Sequence, residues 1–162
     1  KLLAKKIKEA KLYFDFIYSS PLQRTFATAQ IISSSAQLDN PTTLNDLIER
    51  DFGIMTGQHI NDIEKMCAPH ILKTNPTTYF LSPKNAETFP QLLDRAKCVL
   101  NFIITKHKDG NVLLVTHGDI GKMVYAAYYN LDWMKTLQLF SFENSKLLLL
   151  SENSQPEDTY VF

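Results

Sequence analysis

The chain has 162 residues, 44% of them hydrophobic and 21% charged, proportions that suit one globular domain with a real core and exclude two comfortable ones. Lys+Arg and Asp+Glu both number 17, so the net charge is zero; a general nucleic-acid binder is excluded, while a small local basic pocket is not. Cys67 and Cys98 have no short-spaced partner and no apolar run approaches a membrane span, so neither a disulfide framework, a zinc ribbon nor a membrane partner is expected, and reduced thiols suggest a cytoplasmic setting.

In chain order, residues 1–11 read as a helix, with Leu3, Ile7 and Ala10 on one face and Lys5, Lys6, Lys8 and Glu9 outside it. The aromatic and β-branched run from Phe14 to Tyr18 reads as a strand. Ser20-Pro21 then reads as a helix start, the serine as N-cap and the proline at the first helical position, with the helix running to about Ile32. Thr43 to Glu49 reads as a second strand. Residues 50–84, punctuated by Pro69, Pro76 and Pro83, are irregular, with short helices expected around Ile63 and Ile71. The clearest helix spans 86–107, where Phe89, Leu92, Leu93, Ala96, Val99, Leu100, Ile103 and Ile104 form a broad apolar stripe. Val112 to Val115 reads as a strand buried on both faces, and a helix follows to Tyr129. Phe140 and Leu147 to Leu150 suggest two closing strands. Helices alternate with strands, so the expected class is an α/β three-layer sandwich: a mostly parallel central sheet with helices on both faces.

In such sheets ligands bind beyond the carboxyl ends of the strands. Three polar clusters stand there. Around Ser19-Ser20-Pro21-Leu22-Gln23-Arg24, a guanidinium and a helix's first N–H groups can face an anion; a capped helix with a solvated arginine is the plainer reading. In Glu49-Arg50-Asp51-Phe52-Gly53, a proton donor adjoins an anion clamp, or the two form a surface ion pair. In Thr116-His117-Gly118, an imidazole follows a buried strand and glycine allows close backbone approach; a structural turn histidine fits as well. Together the three make an electropositive pocket with one titratable acid, which suits a phosphate ester.

These clusters resemble the histidine phosphatase superfamily, the group built around cofactor-dependent phosphoglycerate mutase. The resemblance rests on Ser19-Ser20-Pro21-Leu22-x-Arg24-Thr25-x-x-Thr28-Ala29, Leu47-x-Glu49-x-x-Phe52-Gly53-x-x-x-Gly57, Glu87-Thr88-Phe89 with Arg95, and Thr116-His117-Gly118. It implies a phosphoglycerate-mutase-like fold and a covalent route in which a histidine attacks phosphorus and the phosphohistidine is then resolved. By resemblance, Arg24 holds the transferring phosphoryl group. His117 hydrogen-bonds its oxygens and carries compensating positive charge. Glu49 is general acid and then base, Arg50 steadies the rest of the substrate, and Gly118 lets the backbone close on the phosphate. No metal and no cofactor are expected.

The family's Arg-His-Gly nucleophile motif does not occur in the chain; His59, His70 and His107 stand outside any such motif. The single domain, 1–162, is therefore expected to be N-terminally incomplete, with the opening strand and its histidine upstream. The stretch 57–87, with only Lys65, Lys73 and Lys84 as cations, holds too little fixed positive charge to grip a phosphoglycerate carboxylate. The leading expectation is thus a phosphatase acting on a small phosphomonoester or a phosphorylated side chain. A mutase and a non-catalytic phosphate-binding domain are the alternatives.

Overall fold

In a computed structural model, which describes residues 2–142, 146–158 and 160–161, a parallel sheet carries helices on both faces. Helix α1 is Leu2–Glu9, followed by strand β1, Phe16–Ser19, and helix α2, Gln23–Ala36. Strand β2 is only Thr42–Thr43. Helix α3 is Ile63–Cys67, and strands β3, Ile71–Lys73, and β4, Thr78–Phe80, form an antiparallel hairpin. Helix α4 is Phe89–Lys106, strand β5 Val112–Val115, helix α5 Gly118–Tyr128 and helix α6 Trp133–Leu139. Strands β6, Leu148–Leu149, and β7, Tyr160–Val161, pair antiparallel.

The central sheet has the order β2-β1-β5, with Ile17 opposite Leu113 and Tyr18 opposite Leu114. Strand alternation sends successive side chains to opposite faces. Ile17 and Leu113 therefore pack on Ala4 and Ile7 of α1 and Ala29 and Ile32 of α2. Tyr18 turns the other way, onto Val99 and Ile103 of α4, with Leu47. A larger cluster joins α4, α5 and α6 through Phe89, Leu92, Ala96, Ile120, Met123 and Leu137. Helix α4 starts as its sequence dictates: Thr88 caps it, Gln91 closes the reciprocal capping bond, and Pro90 occupies the first turn. Trp133 stacks on Phe89 at 5.6 Å, and Tyr125 is buried, while Tyr128, Tyr129 and Trp133 are partly exposed.

Several expectations are corrected. Helix α2 begins at Gln23, not at Pro21, and continues through Ser33-Ser34-Ser35, because Ser33 Oγ donates to the carbonyls of Leu38 and Asp39 rather than breaking the helix. The strand expected over Thr43 to Glu49 stops at Thr43. Asn45–Leu47 form a single 3-10 turn instead, which buries Leu47. The residues around Ile71 form a strand, since pairing with Thr78–Phe80 satisfies their backbone. Phe140 follows α6 in extended backbone without forming a strand. Strand β5 is less enclosed than expected: only Leu113 is buried, and among the described residues no strand pairs with its second edge. Among those residues, too, no helix is long and apolar enough to cross a membrane.

Candidate active site

A cleft of about 760 Å3 follows the second edge of β5, walled on the far side by Leu147 to Leu150. At the carboxyl end of the sheet its lining becomes polar, with Arg24, Thr28, Glu49, His117 and Gly118. Arg24 comes from the first turn of α2, Glu49 from the segment after the 3-10 turn, and His117 from the N-cap of α5. Three separate parts of the sequence thus meet at one end of one cavity.

His117 is buried, and both ring nitrogens are engaged. The Arg24 Nη2 group donates to Nδ1 at 2.9 Å, and Nε2 lies 2.8 Å from Ser20 Oγ. Burial, reinforced by the guanidiniums of Arg24 and Arg95, lowers its pKa from the usual 6.5 to about 4. In this arrangement the imidazole is neutral at pH 7, which differs from the expected positive charge. Ser20, read from the sequence only as a helix cap, is wholly buried beneath the ring and also accepts a hydrogen bond from the Leu22 N–H at 3.3 Å.

Glu49 closes the N-terminus of α5 in place of a side chain from that helix. Its carboxylate accepts from the backbone N–H groups of Arg50 at 2.9 Å, Ile120 at 3.3 Å and Asp119 at 3.4 Å. Those donors favour the ionised form, yet burial and the neighbouring Asp119 charge outweigh them, and the carboxyl holds its proton above its usual range. The segment carrying Glu49 is held by Arg95, whose Nη1 donates to the carbonyls of Asp46 and Ile48, both at 2.7 Å. Arg95 is itself fixed by the Glu87 carboxylate at 2.6 and 2.9 Å. Thr116 Oγ1 adds a bond to the Leu47 carbonyl at 2.7 Å, tying the end of β5 to the same segment.

Arg50 stands differently from the expected substrate contact. It is 3% exposed and does not line the cleft. Its Nε donates to Asp119 Oδ2 at 2.8 Å, and its guanidinium carbon lies 4.2 Å from the Phe89 ring centre and 4.4 Å from that of Phe80. Three phenyl rings, counting Phe52 at 5.3 Å, and one carboxylate satisfy this cation inside the protein. Gly118 does face the cleft; a methyl group there would sit at ordinary contact distance, 3.9 Å, from Glu49 Oε2, so neither crowding nor an unusual backbone angle requires the glycine. His59 and His70 are exposed, and His107 stacks on Phe16 at 3.8 Å and bonds the Tyr18 hydroxyl at 2.8 Å.

The sequence model of the histidine phosphatase superfamily (branch 1) matches residues 1–155. Phosphoglycerate mutase-like protein 4 of Arabidopsis thaliana is 35% identical over 121 residues, 73% of this chain and 51% of its own. The metal-independent phosphoserine phosphatase of the same plant is 31% identical over 110 residues, 67% of this chain and 46% of its own. The chain thus spans about half the length of these curated relatives. Among solved structures, a mycobacterial glucosyl-3-phosphoglycerate phosphatase superposes with a TM-score of 0.77 at 18% identity, covering 99% of this chain and 80% of that one. That likeness bears out the three-layer α/β architecture.

Proposed function

The chain belongs to the histidine phosphatase superfamily, and on that premise we propose that it supplies the anion-binding and proton-transfer groups of a phosphomonoester hydrolase. One observation carries the reading: Arg24, His117 and Glu49, from three segments, line the same end of the same cleft, and the one carboxyl among them holds its proton unusually well. In this reading Arg24 and His117 bind the phosphoryl oxygens, where fixed donors stabilise charge spread over the equatorial positions. Glu49 protonates the leaving oxygen. In the second step it takes a proton from the water that resolves the phosphoenzyme.

The nucleophile of this reading is a histidine that the 162 residues do not contain. His117 is engaged at both nitrogens, and His59, His70 and His107 do not line the cleft. The apolar cleft along β5 offers a place for an extended segment to pair with the strand and bring such a histidine to Arg24 and Glu49. The substrate is a small phosphomonoester or a phosphorylated side chain, as the phosphoserine phosphatase relative suggests. The free thiols of Cys67 and Cys98 fit a cytoplasmic protein.

Hydrolysis of an aryl phosphate by the full-length protein tests this. Turnover with an acid-labile phosphoryl adduct is expected, with loss of turnover in Glu49→Gln and loss of both turnover and adduct in Arg24→Ala. The 162 residues alone are expected to yield no adduct. Efficient interconversion of phosphoglycerates would make the mutase the better reading, and phosphate binding without turnover the non-catalytic domain.

A further inference from the structure

We propose that Ser20 is a positioning residue: its Oγ holds the His117 ring with hydrogen on Nε2, so that Nδ1 faces the anion site and passes from accepting Arg24 to donating to a bound phosphate oxygen. The proposal rests on the anion-site reading above and goes beyond it in naming the anchor, the tautomer and the exchange of partners.

The geometry leaves little choice of roles. A guanidinium has only donors, so the 2.9 Å contact between Arg24 Nη2 and His117 Nδ1 requires a lone pair on Nδ1. A neutral imidazole with that lone pair carries its hydrogen on Nε2, and the 2.8 Å contact there makes Ser20 Oγ the acceptor. Ser20 is immobile: it is fully buried, its N–H donates to the Val115 carbonyl at 3.0 Å, and its Oγ also receives the Leu22 N–H. The hydroxyl is thus fixed to the ends of β1 and β5 together, and the ring can pivot on it without losing its buried partner.

Arg24 and a proton compete for the same lone pair. While Arg24 donates to Nδ1, that nitrogen cannot be protonated; once Nδ1 is protonated, Arg24 must leave it. A phosphate dianion resolves the competition in one direction. It draws the Arg24 N–H to its own oxygens, and its charge favours a proton on Nδ1, which becomes a second, charge-assisted donor. The proton comes from solvent, and no other bond is made or broken. Burial and the charged groups acting on the ring, Arg24 from α2 and Arg95 from α4, all oppose its charge; the nearby carboxylates Glu49 and Asp119 act on one another. A positive charge on His117 is then a property of the anion complex, which reconciles the neutral ring of this structure with the charge the resemblance implies.

The test is nitrogen-15 spectroscopy of the histidine rings in the full-length protein at pH 7.5, with sulfate as the probe because it does not itself titrate there. Without sulfate, His117 should show hydrogen on Nε2 alone. At saturation both nitrogens should be protonated, and calorimetry in buffers of different ionisation enthalpy should register uptake of about one proton per sulfate. In Ser20→Ala the Nε2 preference should be lost and sulfate affinity should fall about tenfold, one hydrogen bond's worth of orientation. Ser20→Thr, which keeps the hydroxyl, should restore the tautomer. Hydrogen on Nδ1 in the unmodified protein, or sulfate bound with Nδ1 still unprotonated, overturns this proposal while leaving the anion site standing. Sulfate that perturbs neither Arg24 nor His117 overturns the anion site itself, and this proposal with it.

Discussion

Two arginines flank Glu49, and the protein treats them oppositely. Arg24 is exposed at the start of a helix and has, among the described residues, one side-chain partner, a neutral imidazole that can change its role. Arg50 is enclosed by Phe52, Phe80 and Phe89 and fixed to Asp119. The first keeps most of its five donors for something outside the chain. The second has its charge answered within the fold, and its backbone N–H, not its guanidinium, reaches the Glu49 carboxylate. The contrast teaches that a cation's proximity to a site says little about its use; what matters is whether its donors are already committed.

Glu49, between the two, should show the largest effect. Glu49→Gln removes the proton donor and is expected to lower kcat by about 10^2- to 10^4-fold. The same change should make the protein more stable at pH 7, because Gln cannot ionise at a position that resists the charged carboxylate. A paired loss of activity and rise in Tm is the expected result; equal falls in both would mean that Glu49 serves mainly as a cap for α5. Arg24→Ala comes next. With its side chain in the cleft and no structural load beyond His117, it should leave Tm nearly unchanged while kcat/KM falls about 10^2- to 10^3-fold. Arg50→Met should do the reverse. It strands the Asp119 carboxylate and should cost about 3 kcal/mol in urea unfolding, with Arg50→Met/Asp119→Leu recovering most of that loss. If Arg50→Met instead preserved stability and abolished substrate binding, the comparison of the two arginines would be wrong.

The sequence shows this division only in part. Helix α4 is legible because its cap, its proline and its apolar stripe all agree. The convergence of Arg24 and His117 follows from two strand ends of a parallel sheet, whereas Glu49 reaches them through a turn and not from the strand end its sequence suggests. The direction of Arg50 does not follow, since a residue beside a candidate acid can point either way, and the three rings that enclose it come from positions 52, 80 and 89. Thr43 to Glu49 has strand-like residues, but Leu47 finds its buried place through a 3-10 turn that no alternation reveals. Ser20 is hidden for a similar reason. Its local pattern is that of a helix cap, and its partner lies 97 positions away.

The smallest expected effect lies in the pH dependence of stability, and it separates the two sides of the site. His117 has its folded pKa depressed to about 4 from 6.5, so the unfolded chain binds more protons between those values. Its contribution to stability is complete above pH 6.5 and is lost as pH falls toward 4. Glu49 has its folded pKa raised, so the folded chain binds the extra proton above pH 4.5, and that contribution is lost as pH rises. The two slopes oppose one another across the mildly acidic range, and the native protein should show a shallow profile there. Glu49→Gln removes one of them. The variant should then lose stability, relative to the native protein, on going from pH 7 to pH 4.5, read as a fall in urea midpoint at constant m. An identical profile in both proteins would mean that the carboxyl titrates as an ordinary surface acid, and the asymmetry between the two flanks of Glu49 would lose its electrostatic basis.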